Sequence, residues 1–175
     1  MTDTNSQNIT PDAPIRIAPL DRTQVARVAR LSLRDDQTRY SLPPAEALMQ
    51  DGPFDHFMIG TGDTAVGYFR IDRDYAGHME FALPGELGLR AFSIGAAFQG
   101  RGLASAACHA LGPVLAARYP WAASVALTVN RANAAAYRCY LAGGFADTGA
   151  LYLGGRAGPQ HIMRLELSGH RQAPG

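Results

Sequence analysis

Apolar and polar positions along the chain recur with two periods. Alternation at every second residue marks Ile15 to Ile17, Ala65 to Ile71 and Glu86 to Ile94; a short apolar run marks Phe57 to Ile59, β-branched enrichment marks Ser124 to Val129, and two final strands are expected around Asp147 to Leu153 and Gln160 to Leu167. Period two sends neighbouring side chains to opposite faces, so the alternating segments read as strands. Thr61-Gly62-Asp63 supplies turn chemistry between the strands at Phe57 to Ile59 and at Ala65 to Ile71. Met79 to Leu83 is compatible with a further stretch of sheet edge before the breaker Pro84-Gly85. In Glu86 to Ile94 the alternation puts Leu87, Leu89, Ala91 and Ser93 on one face and Glu86, Gly88, Arg90, Phe92 and Ile94 on the other.

A period near 3.6 marks the helices. After Asp21, a capping residue type, Val25, Val28, Ala29 and Leu31 gather on one side and Arg22, Arg27, Arg30 and Arg34 mostly on the other. Pro43-Pro44 opens a short helix through Met49, which Asp51-Gly52-Pro53 ends. A longer helix runs from about Arg101 to Tyr119, with Leu103, Ala107, Leu111 and Leu115 in its buried stripe. Pro113 predicts a kink or break near Gly112, because an internal proline removes a hydrogen bond and clashes with the preceding turn. Ala134 to Ala142 forms the last helix, capped by Asn133 and closed by Gly143-Gly144. The order β-α-α-β-β-β-α-β-α-β-β predicts an α/β fold: a mixed central sheet of about seven strands, parallel in its middle, flanked by about four helices.

Composition narrows the class. The 175 residues are 47% hydrophobic and 18% charged, which suits one globular domain. That domain is expected over 15–167, between a mobile tail at 1–14 and a loose tail at 168–175. The net charge of +1 gives no support to a nucleic-acid partner. All sixteen basic residues are arginine. Cys108 and Cys139 fall among apolar helix neighbours and read as free thiols, and no spaced cluster suggests a metal. Neither a leader pattern nor a membrane-length apolar run is visible, so the expected location is the cytoplasm, with no membrane partner.

The chemistry is concentrated in Phe92 to Ala104, an apolar strand passing through Gln99-Gly100-Arg101-Gly102 into a helix. The first helical turn carries N–H groups without intrahelical partners and the positive end of the macrodipole, a natural seat for a phosphate. Two known phosphate loops do not fit. The P-loop needs a lysine, and the chain has none; the dinucleotide fingerprint needs a third glycine where Ser105 stands. A structural glycine turn is the plain alternative.

The pattern Q/R-x-x-G-x-G/A does fit, through Gln99, Gly102 and Ala104. Downstream, Asn133, Ala136, Tyr140, Gly144 and Phe145 fill N-x-x-A-x-x-x-Y-x-x-x-G-F. These two motifs, in this order, resemble those of the GCN5-related N-acetyltransferase (GNAT) superfamily. The resemblance extends over roughly Ile15 to Leu167. It implies a GNAT-like sheet and acetyl-CoA as acyl donor, with no metal. It also implies that the backbone of Phe92, Ser93 and Ile94 holds the pantetheine arm, with the Ile94 N–H polarising the thioester carbonyl. Gln99, Gly100, Arg101, Gly102, Leu103 and Ala104 would cradle the pyrophosphate, and Asn133 would reach the pantetheine arm. Tyr140 would protonate the departing thiolate. A glutamate on the strand before the loop often serves as base; Glu86 is the nearest acid here, ahead of Glu80 and His78.

Tyr140 has a case in elementary chemistry as well. A phenol of pKa ~10 is near enough to a thiol of ~8.5 to act as its acid. The alternative is an aromatic packed under the sheet. The expected reaction is N-acetylation of a small-molecule amine by direct attack in a ternary complex. A protein or peptide N-acetyltransferase and a non-catalytic acyl-CoA sensor are the rivals. An enclosed pocket lined by Tyr40, Phe54, Tyr68 and the last two strands would favour the first; an open groove would favour a macromolecule. A homodimer through the terminal strands is compatible with the resemblance.

Overall fold

The computed structural model describes residues 13–170. Of the two expected tails, 1–12 and 171–175 lie outside the described residues. Seven strands form one sheet: β1 (Ile15–Pro19), β2 (Phe54–Thr61), β3 (Thr64–Asp72), β4 (Leu87–Ile94), β5 (Ser124–Asn130), β6 (Ala146–Tyr152) and β7 (Gln160–Glu166). Their spatial order is β1-β2-β3-β4-β5-β7-β6. Only β4 and β5 run parallel; every other neighbouring pair is antiparallel. The expected mixed sheet, parallel in its middle, is what forms.

Helices cover both faces. On one face α1 (Val25–Ala29) and α2 (Pro44–Met49) close a small core, with Val28 and Ala47 against Tyr68. On the other face α4 (Leu103–Arg118) and α5 (Ala134–Ala142) close the larger core. There Cys108, Leu111 and Leu115 of α4 join Phe57, Phe69, Leu89 and Leu127 of the sheet. A short helix α3 (Tyr75–His78) follows β3.

Three local readings change on folding. The segment expected to extend the sheet edge does not pair. The Asp72 carboxylate takes the Asp74 N–H at 3.0 Å and the His78 imidazole at 2.8 Å, which turns the chain into α3 instead. Helix α4 runs unbroken through Pro113. The carbonyl deprived of its donor belongs to His109, and His109 and Pro113 are both exposed, so water can serve it. Gly112, by contrast, is buried under His170, whose ring lies 2.6 Å from where a Cβ would stand.

The third change reshapes β4. Leu87, Leu89, Phe92 and Ile94 all join the larger core, although strict alternation would split them between faces. Tyr68 pairs with Ser93 and Arg70 with Arg90, so Ala91 and Phe92 together face Phe69 alone. This bulge reverses the faces of everything after Ala91. Ala91 takes a φ of 53°, the one positive φ outside glycine among the described residues, at a cost of roughly 1 kcal/mol. On its other edge β4 leaves β5 already after Gly88, ahead of the bulge. Only Leu87 pairs with Val125 and Gly88 with Ala126, and the rest of β4 and β5 part company.

Candidate active site

The gap between β4 and β5 exposes backbone that a complete sheet would consume. Gly95 donates its N–H to Val66 O, on the β3 side, at 2.8 Å. Strand alternation therefore turns the N–H and carbonyl of Ile94 the other way, towards the gap. The Gln99 side chain reaches that carbonyl, with Nε2 2.8 Å from Ile94 O. Gln99 also exchanges amide hydrogen bonds with Gln37, Nε2 to Oε1 at 2.8 Å and the reverse at 3.2 Å. The loop after β4 is thus tied to the segment between α1 and α2.

That loop delivers a bare helix end. Gly100 and Gly102 both lie in the left-handed region, at φ 77° and 74°. A Cβ on either would meet no protein atom within 4 Å, so backbone conformation is what demands glycine there, and open space lies beyond. Gly102 is the N-cap of α4 and supplies no side-chain cap. The N–H groups of the first turn are left for an outside acceptor, with the positive end of a helix of 16 residues behind them.

A cavity of about 300 Å³ lies along these groups. Phe92, Ser93, Ile94, Gln99, Gly100, Gly102, Leu103, Ala104 and Asn133 line it, as does Tyr140. Arg101 is exposed and is not among its lining residues. Asn133 caps α5, its Oδ1 accepting the Ala136 N–H at 3.3 Å. Cys139 also lines the cavity, its Sγ 3.5 Å from Ser105 Oγ. Its thiol is pulled down by the hydrogen bond to Cys108, against its own burial, and Cys108 is pushed up in turn.

Tyr140 stands at the inner end. It is 9% exposed and meets Phe92 and Phe145 edge-on, with ring centres 5.8 and 5.6 Å away. Burial, reinforced by the two nearby thiols, pushes its phenol far above the usual range. Among the described residues no group hydrogen-bonds its hydroxyl.

Behind Phe92 and Tyr140 lies a second cavity, of about 390 Å³, on the far side of the same wall. Tyr40, Ser41, Asn133 and Ala136 border both spaces. The second is otherwise walled by β4, the end of β5 and the β6–β7 connection, including Tyr152, Arg156 and Gln160. Of the aromatic residues expected to line it, Tyr40 does. Tyr68 is fully buried, and Phe54 lies under the Arg70 guanidinium at 3.9 Å.

The structure does not bring Glu86 to either cavity. Its carboxylate is 2% exposed and takes Leu83 N–H at 2.9 Å, the Ser124 hydroxyl at 2.8 Å, and both Nε and Nη2 of Arg164. Burial raises its pKa, but Arg164 and the two other donors more than offset that and hold it below the usual value. Glu80 and His78 do not line the cavities either, and no carboxylate or imidazole among the described residues does.

Among the described residues, three buried side-chain polar atoms have no hydrogen-bond partner: Ser41 Oγ, Arg70 Nε and Ser93 Oγ. All three residues border these cavities. Buried polar groups are nearly always paired, so unpaired ones gathered at one cleft mark where a ligand completes the bonding. Sequence reading singled out neither Ser41 nor Arg70 nor Gln37. Arg70 carried one signal, a charge inside an otherwise apolar strand.

The family described as the Acetyltransferase (GNAT) family matches residues 24–145. No curated protein matches the sequence. Among solved structures, the aminoglycoside acetyltransferase AAC(6')-Ib in complex with coenzyme A and kanamycin is similar at 17% identity and a TM-score of 0.70, over 87% of this chain and 94% of that one. The spermidine N-acetyltransferase from Vibrio cholerae, in complex with CoA and spermine, is similar at 17% identity and a TM-score of 0.64, over 89% and 97%. The GNAT domain of S. lividans PAT is similar at 20% identity and a TM-score of 0.63, over 87% and 90%.

Proposed function

The chain belongs to the Acetyltransferase (GNAT) family and is an acetyl-CoA-dependent N-acetyltransferase, and we propose that its acceptor is the amine of a small molecule. The observation that carries this reading is the pair of cavities meeting at one wall, Phe92 and Tyr140. The first runs from the bare N-terminus of α4 to the open edge of β4, which suits a long donor with a pyrophosphate at one end. The second, about 390 Å³, has the size of a small-molecule site rather than of a peptide groove.

Acetyl-CoA supplies the acetyl thioester. The acceptor amine forms the new C–N bond, the C–S bond breaks, the amine gives up one proton and the thiolate takes one up. The chain's own groups have separate tasks. Backbone N–H groups of Leu103, Ala104 and Ser105 receive the anionic end of the donor. The Ile94 N–H, turned into the gap, polarises the carbonyl where charge develops. Burial disfavours the Tyr140 phenolate, so the neutral phenol, free of competing partners among the described residues, offers the departing thiolate a hydrogen bond. We assign Glu86 to structure: with Arg164, Ser124 and Leu83 it joins β4, β5 and β7. Deprotonation of the amine then falls to water, or to the free base already present.

The test is thiol release from acetyl-CoA with a panel of small amines and short peptides. Turnover confined to small amines is the expected result. Turnover with peptides alone would establish the macromolecular reading. Binding of acetyl-CoA with no thiol release on any amine would establish the sensor.

A further inference from the structure

Among the described residues, the second cavity is lined by Arg39, Arg70, Arg90 and Arg156, and by no aspartate or glutamate. Two of these arginines stand directly opposite one another: Arg70 on β3 is the register partner of Arg90 on β4. Like charges facing across a ladder destabilise a sheet, so this pairing costs stability. Among the described residues, one carboxylate forms an ion pair with them. Asp72, fully buried, receives Arg90 Nε at 2.9 Å and also takes up His78.

Arg70 lacks an ion-pair partner among the described residues. It is 5% exposed. Its terminal nitrogens donate to neutral acceptors, Nη1 to Ala47 O at 3.1 Å and Nη2 to Gln50 Oε1 at 2.7 Å. Its Nε has no acceptor, and neither does Ser41 Oγ on the same cavity. Arg39 stacks on Tyr40 at 4.7 Å and Arg156 is exposed, neither with a carboxylate in reach among the described residues. A buried guanidinium held by neutral groups, with an unmet donor, is an incomplete ion pair.

We propose that this cavity takes an amine that also carries an oxyanion, a carboxylate or a phosphate ester, and that Arg70 and Ser41, with Arg39 and Arg156 at the rim, bind that oxyanion. The proposal rests on the reading that the acceptor is a small amine and narrows it. A guanidinium fork matches either oxyanion geometrically. Polycationic amines meet the opposite situation, since four arginines repel them and no acid among the described residues lines the cavity to receive them. Kanamycin and spermine, bound by the two structural relatives, belong to that second class, so likeness of fold does not carry the acceptor across.

The experiment is thiol release with matched amines: amino acids against their carboxamides, aminoalkyl phosphates against the corresponding amino alcohols, and spermidine and kanamycin as polycations. Arg156→Gln and Arg39→Gln are assayed alongside, because both residues are exposed and their loss leaves the core intact. The expected result is a kcat/KM at least tenfold higher for the anionic member of one pair. The acceptor KM should rise about tenfold in each variant, while the Kd for coenzyme A moves less than twofold. Which pair responds separates carboxylate from phosphate. Preference for carboxamides, amino alcohols or polycations overturns the proposal and leaves the small-amine reading standing. No turnover with any panel member, in protein that binds acetyl-CoA, overturns both.

Discussion

Gln37 and Gln99 hold each other by two side-chain amide hydrogen bonds, of 2.8 and 3.2 Å, across 62 positions of sequence. Gln99 is thereby both a brace for the donor loop and the partner of the Ile94 carbonyl. Gln37→Ala removes the brace and leaves the glycine turn in place. A hydrogen bond of this kind contributes about 1 kcal/mol net, or about fivefold in an equilibrium. Titration calorimetry should show coenzyme A binding weakened by up to about that factor, with thermal stability lowered by only about 2–4 °C. Unaltered affinity would show that the loop holds its shape alone.

Tyr140→Phe retains the ring that packs on Phe92 and Phe145 and removes only the hydroxyl. A positioned acid contributes ~10²–10⁴-fold, so kcat should fall by at least ~10² while the Kd for coenzyme A stays within about twofold. Thiol-release kinetics and calorimetry give the two numbers. Equal turnover by the variant would reduce Tyr140 to a packing aromatic.

The pH profile should follow the acceptor and not a protein carboxylate or imidazole. No carboxylate or imidazole lines the cavities among the described residues, so kcat/KM should climb with pH along the free-base fraction of the amine. Exchanging one acceptor for another of different pKa should move the alkaline limb with it. A limb fixed in place across acceptors would reveal a titrating group on the enzyme.

Glu86→Gln should cost stability, roughly 3 kcal/mol, because it leaves Arg164 without its buried counter-charge. The folded-state pKa of Glu86 lies below its ordinary value of 4.5. Its ionised form therefore stabilises the native state fully above that value, and the benefit is lost as pH falls through the lower folded-state pKa. Denaturant melts of wild type and variant should converge under acid conditions and diverge near neutrality. If the variant matched wild type in stability at pH 7 and lost its turnover, Glu86 would be chemical after all.

Much of this architecture was legible in the sequence. The Thr61-Gly62-Asp63 turn, the Asn133 cap and the two motifs around Gln99 and Tyr140 are local, and each needs only its neighbours to be recognised. The bulge was not legible, since Ala91 is not a residue type that advertises a positive φ, and it reversed the faces assigned to Phe92 and Ile94. The partners of Glu86 and Gln99 were hidden for another reason. Arg164 lies 78 positions from Glu86 and Gln37 lies 62 from Gln99, so only the assembled sheet and loops bring them together. The facing arginines depend on strand register, which alternation alone leaves open.

Among the described residues no carboxylate or imidazole lines the two cavities, and that bears on water as much as on the amine. A thioester poised next to a strong base is exposed to hydrolysis whenever the acceptor is absent. Among the described residues water meets no strong base here, the Cys139 thiolate with its lowered pKa being a weak one, whereas an amine is intrinsically the better nucleophile. Fidelity of transfer over wasteful hydrolysis is then a property of what the cleft leaves out.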